Sequence, residues 1–165
     1  MNDYKVRKDF NIEIPKSVKM IITILEKNGY EAFAVGGCIR DTILGRQPQD
    51  WDITTSALPQ QVKALFNKTL DTGIQHGTVT VMMSRVGYEV TTYRIDGEYN
   101  DSRHPDTVEF TSNLIEDLKR RDFTINAMAY NPTVGLVDAF DGIGDIEKKI
   151  IKRDLVKMPL EFYVP

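Results

Sequence analysis

The chain has one cysteine, Cys38, in 165 residues. An internal disulfide is excluded, and a reducing, cytoplasmic setting is the one such a sequence suits. It has two histidines, His76 and His104. With a single thiol beside them they form no zinc constellation, and each reads as a loop or hydrogen-bonding residue. No apolar run approaches the length that crosses a bilayer, so no membrane partner is expected. The first residues, MNDYKVRKDF, lack the apolar core of a signal peptide. Positive charge is not in excess either: 21 Lys and Arg against 24 Asp and Glu leave −3 at neutral pH. A surface built to track long nucleic acid is normally basic. There is no internal repeat, low-complexity tract or obvious linker. What remains is an ordinary globular composition, 41% hydrophobic and 27% charged, long enough for one domain with a real core.

The informative stretch is FAVGGCIRDTILGRQPQDWD, Phe33 to Asp52. Phe33-Ala34-Val35 has the look of a buried strand. Gly36-Gly37 at its end permits a tight turn and close approach of a phosphate to backbone amides. A helix opening there, Gly37 to Leu44, points free N–H groups at an anion. Asp50 to Thr54 is β-rich, and residues two apart on a strand share a face. Asp50 and Asp52 would project together, as a magnesium site requires. Either half alone is common, as a plain turn or a solvated edge. In this order and spacing they read as phosphoryl or nucleotidyl transfer.

The rest of the chain supplies a scaffold. Ile14 to Asn28 is an amphipathic helix, with Val18, Ile21, Ile22 and Leu25 on one face. Pro15 suits its first turn and Gly29 its end. Tyr30 to Val35 is the first strand, and Cys38 should pack into the core. A helix runs from Leu58-Pro59 to Phe66, and Thr69 to Gly73 is extended. Thr78 to Met83 and Tyr88 to Arg94 form a hairpin about a turn at Ser84 to Gly87. Asp96 to Asp106 is a polar loop by composition. Val108 to Thr111 is extended, and Asn113 caps a helix to Lys119, with Glu116 three residues on. Leu136 to Asp138 is a short strand, and Gly142 to Ile151 a closing helix. Lys148, Lys149, Lys152, Arg153 and Lys157 read as a solvated face.

Several residues could extend the site. Arg40, one turn past the glycines, could reach a triphosphate or simply pair with Asp41. A third carboxylate on a strand beside the Asp pair is wanted for two-metal chemistry. Glu89, sharing a face with Thr91 and Tyr93, is the candidate, with Glu109 its rival and an exposed edge acid the alternative. Arg120 and Arg121 cannot both be buried cheaply, and at least one should face an anion or an acid. Arg121 is preferred for a phosphate, which suits guanidinium geometry. Phe123, Ile125 and Met128 look like core, and Asp122 and Asn126 like braces for their own backbone.

GGCIRD followed by DWD resembles the head domain of the tRNA nucleotidyltransferase and bacterial poly(A) polymerase family. RRDFTINAMAY, Arg120 to Tyr130, is similar to that family's second motif. Tyr93 to Leu118 is similar to its flexible loop and following strand, and the resemblance spans roughly Gly29 to Lys149. It implies an α/β fold: a small mixed, partly antiparallel sheet flanked by helices, like the palm of polymerase-β-type nucleotidyltransferases. It also implies Mg²⁺-dependent transfer from ATP or CTP to the 3′ end of tRNA, CCA addition. Asp50 and Asp52 would hold the metal, with Glu89 a possible third ligand. Gly36, Gly37, Arg40 and Arg121 would hold the triphosphate. Arg94, Asp96 and Arg103 would contribute from the loop. With a net charge of −3, this piece is expected to handle a nucleotide and an RNA terminus, not a long RNA surface.

The resemblance implies a head domain over 1–151. A neck domain with an acidic and arginine-bearing template motif would follow, but the tail 152–165, ending KRDLVKMPLEFYVP, does not match it. The chain therefore reads as truncated or shortened. Rival readings are poly(A) addition, a nucleotide-binding module without turnover, and a metal-dependent phosphohydrolase.

Overall fold

The fold is described from a computed structural model over residues 6–96, 108–153 and 160–163. The chain enters through a short strand, β1 (Val6–Arg7), and the amphipathic helix α1 (Lys16–Lys27). The four apolar residues spaced along one face of α1, Val18, Ile21, Ile22 and Leu25, are all buried. Pro15 sits at the N-cap position, where its missing N–H leaves nothing unsatisfied. Then come β2 (Ala32–Val35), α2 (Gly37–Ile43), β3 (Asp52–Thr55) and α3 (Pro59–Leu65). Strands β4 (Thr69–Gly73), β5 (Thr78–Met83), β6 (Val86–Thr92), β7 (Arg94–Asp96) and β8 (Val108–Phe110) follow. Helix α4 (Leu114–Lys119) leads to a 3-10 turn at Thr124–Asn126. Strands β9 (Ala129–Asn131) and β10 (Gly135–Val137), helix α5 (Gly142–Glu147), β11 (Ile150–Arg153) and β12 (Leu160–Tyr163) complete it.

Eight strands form one mixed sheet in the order β1-β10-β9-β2-β3-β6-β5-β4. Every pair is antiparallel except β3 with β6, where Ile53 faces Val90 and Thr54 faces Thr91. The sheet is buried on both faces at its centre, which is why β2 reads as an unbroken apolar run. Ala32 and Ala34 join one cluster with α1, Ile53, Val79, Val81 and Val90. Phe33 and Val35 join the other with Tyr93, Leu114, Leu118, Ala127 and Ala129. Among the described residues no helix is long and apolar enough to cross a membrane.

Several local expectations differ from what is seen. Strand β3 starts at Asp52, so Asp50 and Trp51 lie on the approach to it. The hairpin turns at Ser84 and Arg85 alone, both with positive φ (51° and 69°). That is the primed two-residue geometry matching strand twist, and neither residue advertises it as Asn-Gly would. Arg94 leaves β6 and pairs instead with Phe110 in the separate β7–β8 ribbon. The closing helix stops at Glu147, because Lys149 turns left-handed (φ 56°) and Ile150 begins β11. Phe123 and Ile125 are only half-buried, while Thr124, Ala127 and Met128 are enclosed. The 3-10 turn sets that choice by pointing the Thr124 hydroxyl at the buried Asp145. Of the expected loop, Asp96 to Asp106, Asp96 instead ends β7, and 97–106, with Arg103 and His104, lies outside the described residues.

Candidate functional site

The site begins with the strand-to-helix turn. Gly36 has φ 86° and ψ −137°, a conformation essentially reserved for glycine. It lets β2 end and α2 start without a connecting loop, and the Gly36 N–H donates to the Met128 carbonyl. A Cβ at Gly36 would lie 3.4 Å from Arg121 Nη1, and one at Gly37 would lie 3.2 Å from Arg40 Nη2. The two glycines are thus the floor on which two guanidinium groups rest. Arg40 is held there by two bonds. Its Nη1 donates to Asn126 Oδ1 at 2.8 Å and its Nε to Asp41 Oδ1 at 3.0 Å. The local ion pair with Asp41 and the inward reach across the glycines coexist. Asn126 therefore braces Arg40, not its own backbone as the sequence suggested.

Arg121 is the more enclosed cation. Burial pushes its pKa down from the usual value, opposed first by the neighbouring Asp117 carboxylate. Its Nη2 lies 3.5 Å from Asp117 Oδ2. Its Nε is buried and has no hydrogen-bond partner among the described residues. A buried donor in that state is costly unless something else accepts from it.

The carboxylates lie next to this floor. Val35, the residue before the glycines, is the antiparallel partner of Asp52. The parallel register of β3 with β6, continued one pair beyond Ile53 and Val90, sets Asp52 beside Glu89. In the DWD segment Trp51 packs against the core cluster, which leaves the flanking aspartates to the cleft. Asp52 has an exposed edge, yet the surrounding protein removes enough hydration to raise its pKa above the usual 3.8. Glu89 and Asp50 push the same way, and Arg121 pushes against them. Glu109 is exposed on the β7–β8 ribbon, away from this group.

A cleft of about 1110 Å³ opens at this end of the sheet. Asp50, Asp52 and Glu89 line it together with Trp51, Tyr88 and Arg46. Its size is that of a large ligand pocket. Among the described residues no group of three or more His, Cys, Asp or Glu side chains is close enough to hold one ion. A pair of carboxylates suffices for Mg²⁺ when phosphate oxygens and water complete the shell. Burial is the main cause that raises the pKa of Asp52, and the charges of Glu89 and Asp50 add to it.

Sequence reasoning missed Asp117. It is fully buried and accepts from Thr54 Oγ1 at 3.0 Å, the Arg94 N–H at 3.1 Å and Arg120 Nε at 3.3 Å. Its only signal in the sequence was an acid three and four residues before the Arg120-Arg121 pair, a spacing that puts them on one helix face.

A mixed sheet with a glycine-floored helix start beside strand-borne carboxylates is the α/β head of a nucleotidyltransferase. Residues 32–152 match the family described as the poly A polymerase head domain. The chain belongs to that family. It is 52% identical over 145 residues to the CCA-adding enzyme of Lactobacillus delbrueckii subsp. bulgaricus, covering 86% of this chain and 37% of that protein. The CCA-adding enzyme of Lactiplantibacillus plantarum is 53% identical over 137 residues, covering 83% and 34%. Among solved structures, the Bacillus stearothermophilus CCA-adding enzyme in complex with CTP is 45% identical with a TM-score of 0.75, covering 84% of this chain and 32% of that one. A tRNA nucleotidyltransferase complexed with a primer tRNA and an incoming ATP analogue is 30% identical with a TM-score of 0.62, covering 82% and 39%. The chain therefore spans a little over a third of the length of the curated relatives it matches.

Proposed function

We propose that this chain is the catalytic head of a tRNA nucleotidyltransferase, adding CMP and AMP units from CTP and ATP to a tRNA 3′ end. Residues 1–151 would form the head. The observation that carries the reading is the adjacency of opposite charges. Arg40 and Arg121 lie against Gly36 and Gly37, and Asp52, flanked by Asp50 and Glu89, feels the Arg121 charge. The names of similar proteins, which include complexes with CTP, an ATP analogue and primer tRNA, point the same way.

In this reading the Gly36-Gly37 turn and the two guanidinium groups bind and orient the triphosphate. Asp50 and Asp52 would hold Mg²⁺, with Glu89 beside them. When bound, the ion supplies Lewis-acid activation of the attacking hydroxyl and neutralises charge on the leaving pyrophosphate. The RNA 3′ oxygen bonds to the α-phosphorus as the bond to pyrophosphate breaks. The cleft lined by Trp51, Tyr88 and Arg46 admits the acceptor end beside the carboxylates.

Asp52→Asn tests this. The variant should keep the fold and lose the Mg²⁺-dependent component of ATP binding in calorimetry. In a protein of the relatives' full length it should also lose extension of tRNA lacking CCA. Retained Mg²⁺-dependent binding would refute the assignment. The short span relative to its relatives favours a second outcome for the chain alone, namely nucleotide binding without extension. Sequencing the product made by the full-length protein separates CCA addition from poly(A) addition. Phosphate release from ATP without primer would indicate a phosphohydrolase instead.

A further inference from the structure

We infer that Asp117 is a positioning residue that fixes the triphosphate-facing attitude of Arg121 and ties it to the strand carrying Asp52. The inference rests on the reading of Gly36, Gly37, Arg40 and Arg121 as the triphosphate cradle.

Asp117 lies on α4, fully buried, yet it touches no phosphate-facing surface itself. Three hydrogen-bond donors and one ion-paired guanidinium converge on it, from β3, from β7 and from the end of α4. Thr54 Oγ1 (3.0 Å) belongs to β3, two residues beyond Asp52. The Arg94 N–H (3.1 Å) is the first residue of β7. Arg120 Nε (3.3 Å) and Arg121 Nη2 (3.5 Å) come from the segment after α4. A buried carboxylate has about four lone-pair directions to satisfy. Here three of its partners are rigid or local, and the fourth is the guanidinium edge of Arg121. With Nη2 held from behind, Nη1 is brought to the position above Gly36. The Nε of the same group is left buried without a partner among the described residues. The anionic and cationic halves of the site thus share one internal anchor, through Thr54, Asp117 and Arg121. A guanidinium pre-oriented in this way loses less freedom on meeting a phosphate than a free one.

The sign of one measurement discriminates. A carboxylate that merely subtracts charge from the cradle would, on removal, tighten anion binding. A carboxylate that only supports the fold would lower the melting temperature and leave the affinity of the folded protein unchanged. A positioning carboxylate would weaken binding. For Asp117→Asn, calorimetry with inorganic tripolyphosphate should show Kd raised about tenfold, the loss of one charge-assisted hydrogen bond's worth of orientation. Unchanged or tighter binding overturns the inference. Should that variant fail to fold, the wild-type protein still decides. Its Arg121 Nη hydrogens, assigned by comparison with Arg121→Lys, should give separate signals in nitrogen-resolved NMR because rotation is restrained. A single averaged signal overturns the inference. Failure of the wild-type chain to bind tripolyphosphate would instead remove the cradle on which it rests.

Discussion

Two adjacent glycines should respond to alanine in opposite ways. At Gly36 the backbone lies at φ 86° and ψ −137°, where a side chain costs roughly 1–3 kcal/mol in strain. The new Cβ would meet Arg121 Nη1 at 3.4 Å, which is ordinary contact and adds little. For a domain of this size each kcal/mol corresponds to about 2–4 °C in Tm, so Gly36→Ala should melt roughly 2–12 °C lower. Gly37 opens α2 with no positive φ. Its Cβ would meet Arg40 Nη2 at 3.2 Å, the far end of a flexible side chain that can move aside. Alanine at a helix start gains up to about 0.5 kcal/mol over glycine. Gly37→Ala should therefore melt at or slightly above the wild-type temperature. Its cost falls on the ligand. A shift of Nη2 by a few tenths of an ångström, with Nη1 keeping its 2.8 Å bond to Asn126 Oδ1, turns the guanidinium away from a bound phosphate. A charge-assisted hydrogen bond is worth about 1.5–3 kcal/mol, so the Kd for ATP should rise roughly ten- to a hundredfold. Differential scanning calorimetry and titration calorimetry on both variants read the two effects separately. A Gly37→Ala protein that melts several degrees low, or binds ATP like wild type, refutes the reasoning. So does a Gly36→Ala protein with unaltered Tm.

Two further expectations follow from the same geometry. Glu89→Gln should weaken Mg²⁺-dependent ATP binding, because Glu89 sits in the electrostatic surroundings of Asp52, whereas Glu109→Gln should not. The reverse pattern in calorimetry would transfer the third-carboxylate role to the β7–β8 ribbon. Cys38 is buried, donates from Sγ to the Val35 carbonyl, and has its thiol pushed up by burial from 9.0 to about 11. A raised thiol pKa favours the neutral form in the fold. Its contribution to stability is complete below 9.0 and is lost as pH climbs through about 11. Cys38→Ala should flatten the alkaline fall in stability across that window, and the native thiol should react slowly with maleimide in mild alkali yet rapidly in urea. Rapid labelling of the folded protein would contradict both.

Much of the scaffold was legible because it is written in short-range pattern. The i, i+3, i+4, i+7 spacing from Val18 to Leu25 gave α1, and alternation gave the β5–β6 hairpin. Asn113 caps α4 as its side chain predicts, accepting from the Ile115 N–H at 2.9 Å. The Gly36-Gly37 turn also declared itself, since only glycine occupies that backbone conformation cheaply. The hairpin turn was legible as Ser84 to Gly87, but its tightening to Ser84 and Arg85 was not, because those residues bear positive φ under the constraint of the paired strands.

By itself the sequence determined which groups were available: glycines at a strand end, aspartates two apart, arginines side by side. These are local facts of covalent spacing. Only the tertiary structure decided which of them meet. Glu89 stands beside Asp52 because β3 and β6 pair in parallel, a register that no local pattern encodes. Asn126 reaches Arg40 across the fold, and Asp117 gathers Thr54, Arg94, Arg120 and Arg121 into one buried point. A buried charge must find partners wherever the packed chain supplies them. Those partners come from β3, β7 and the end of α4, separate elements that become neighbours only when the chain closes around its core.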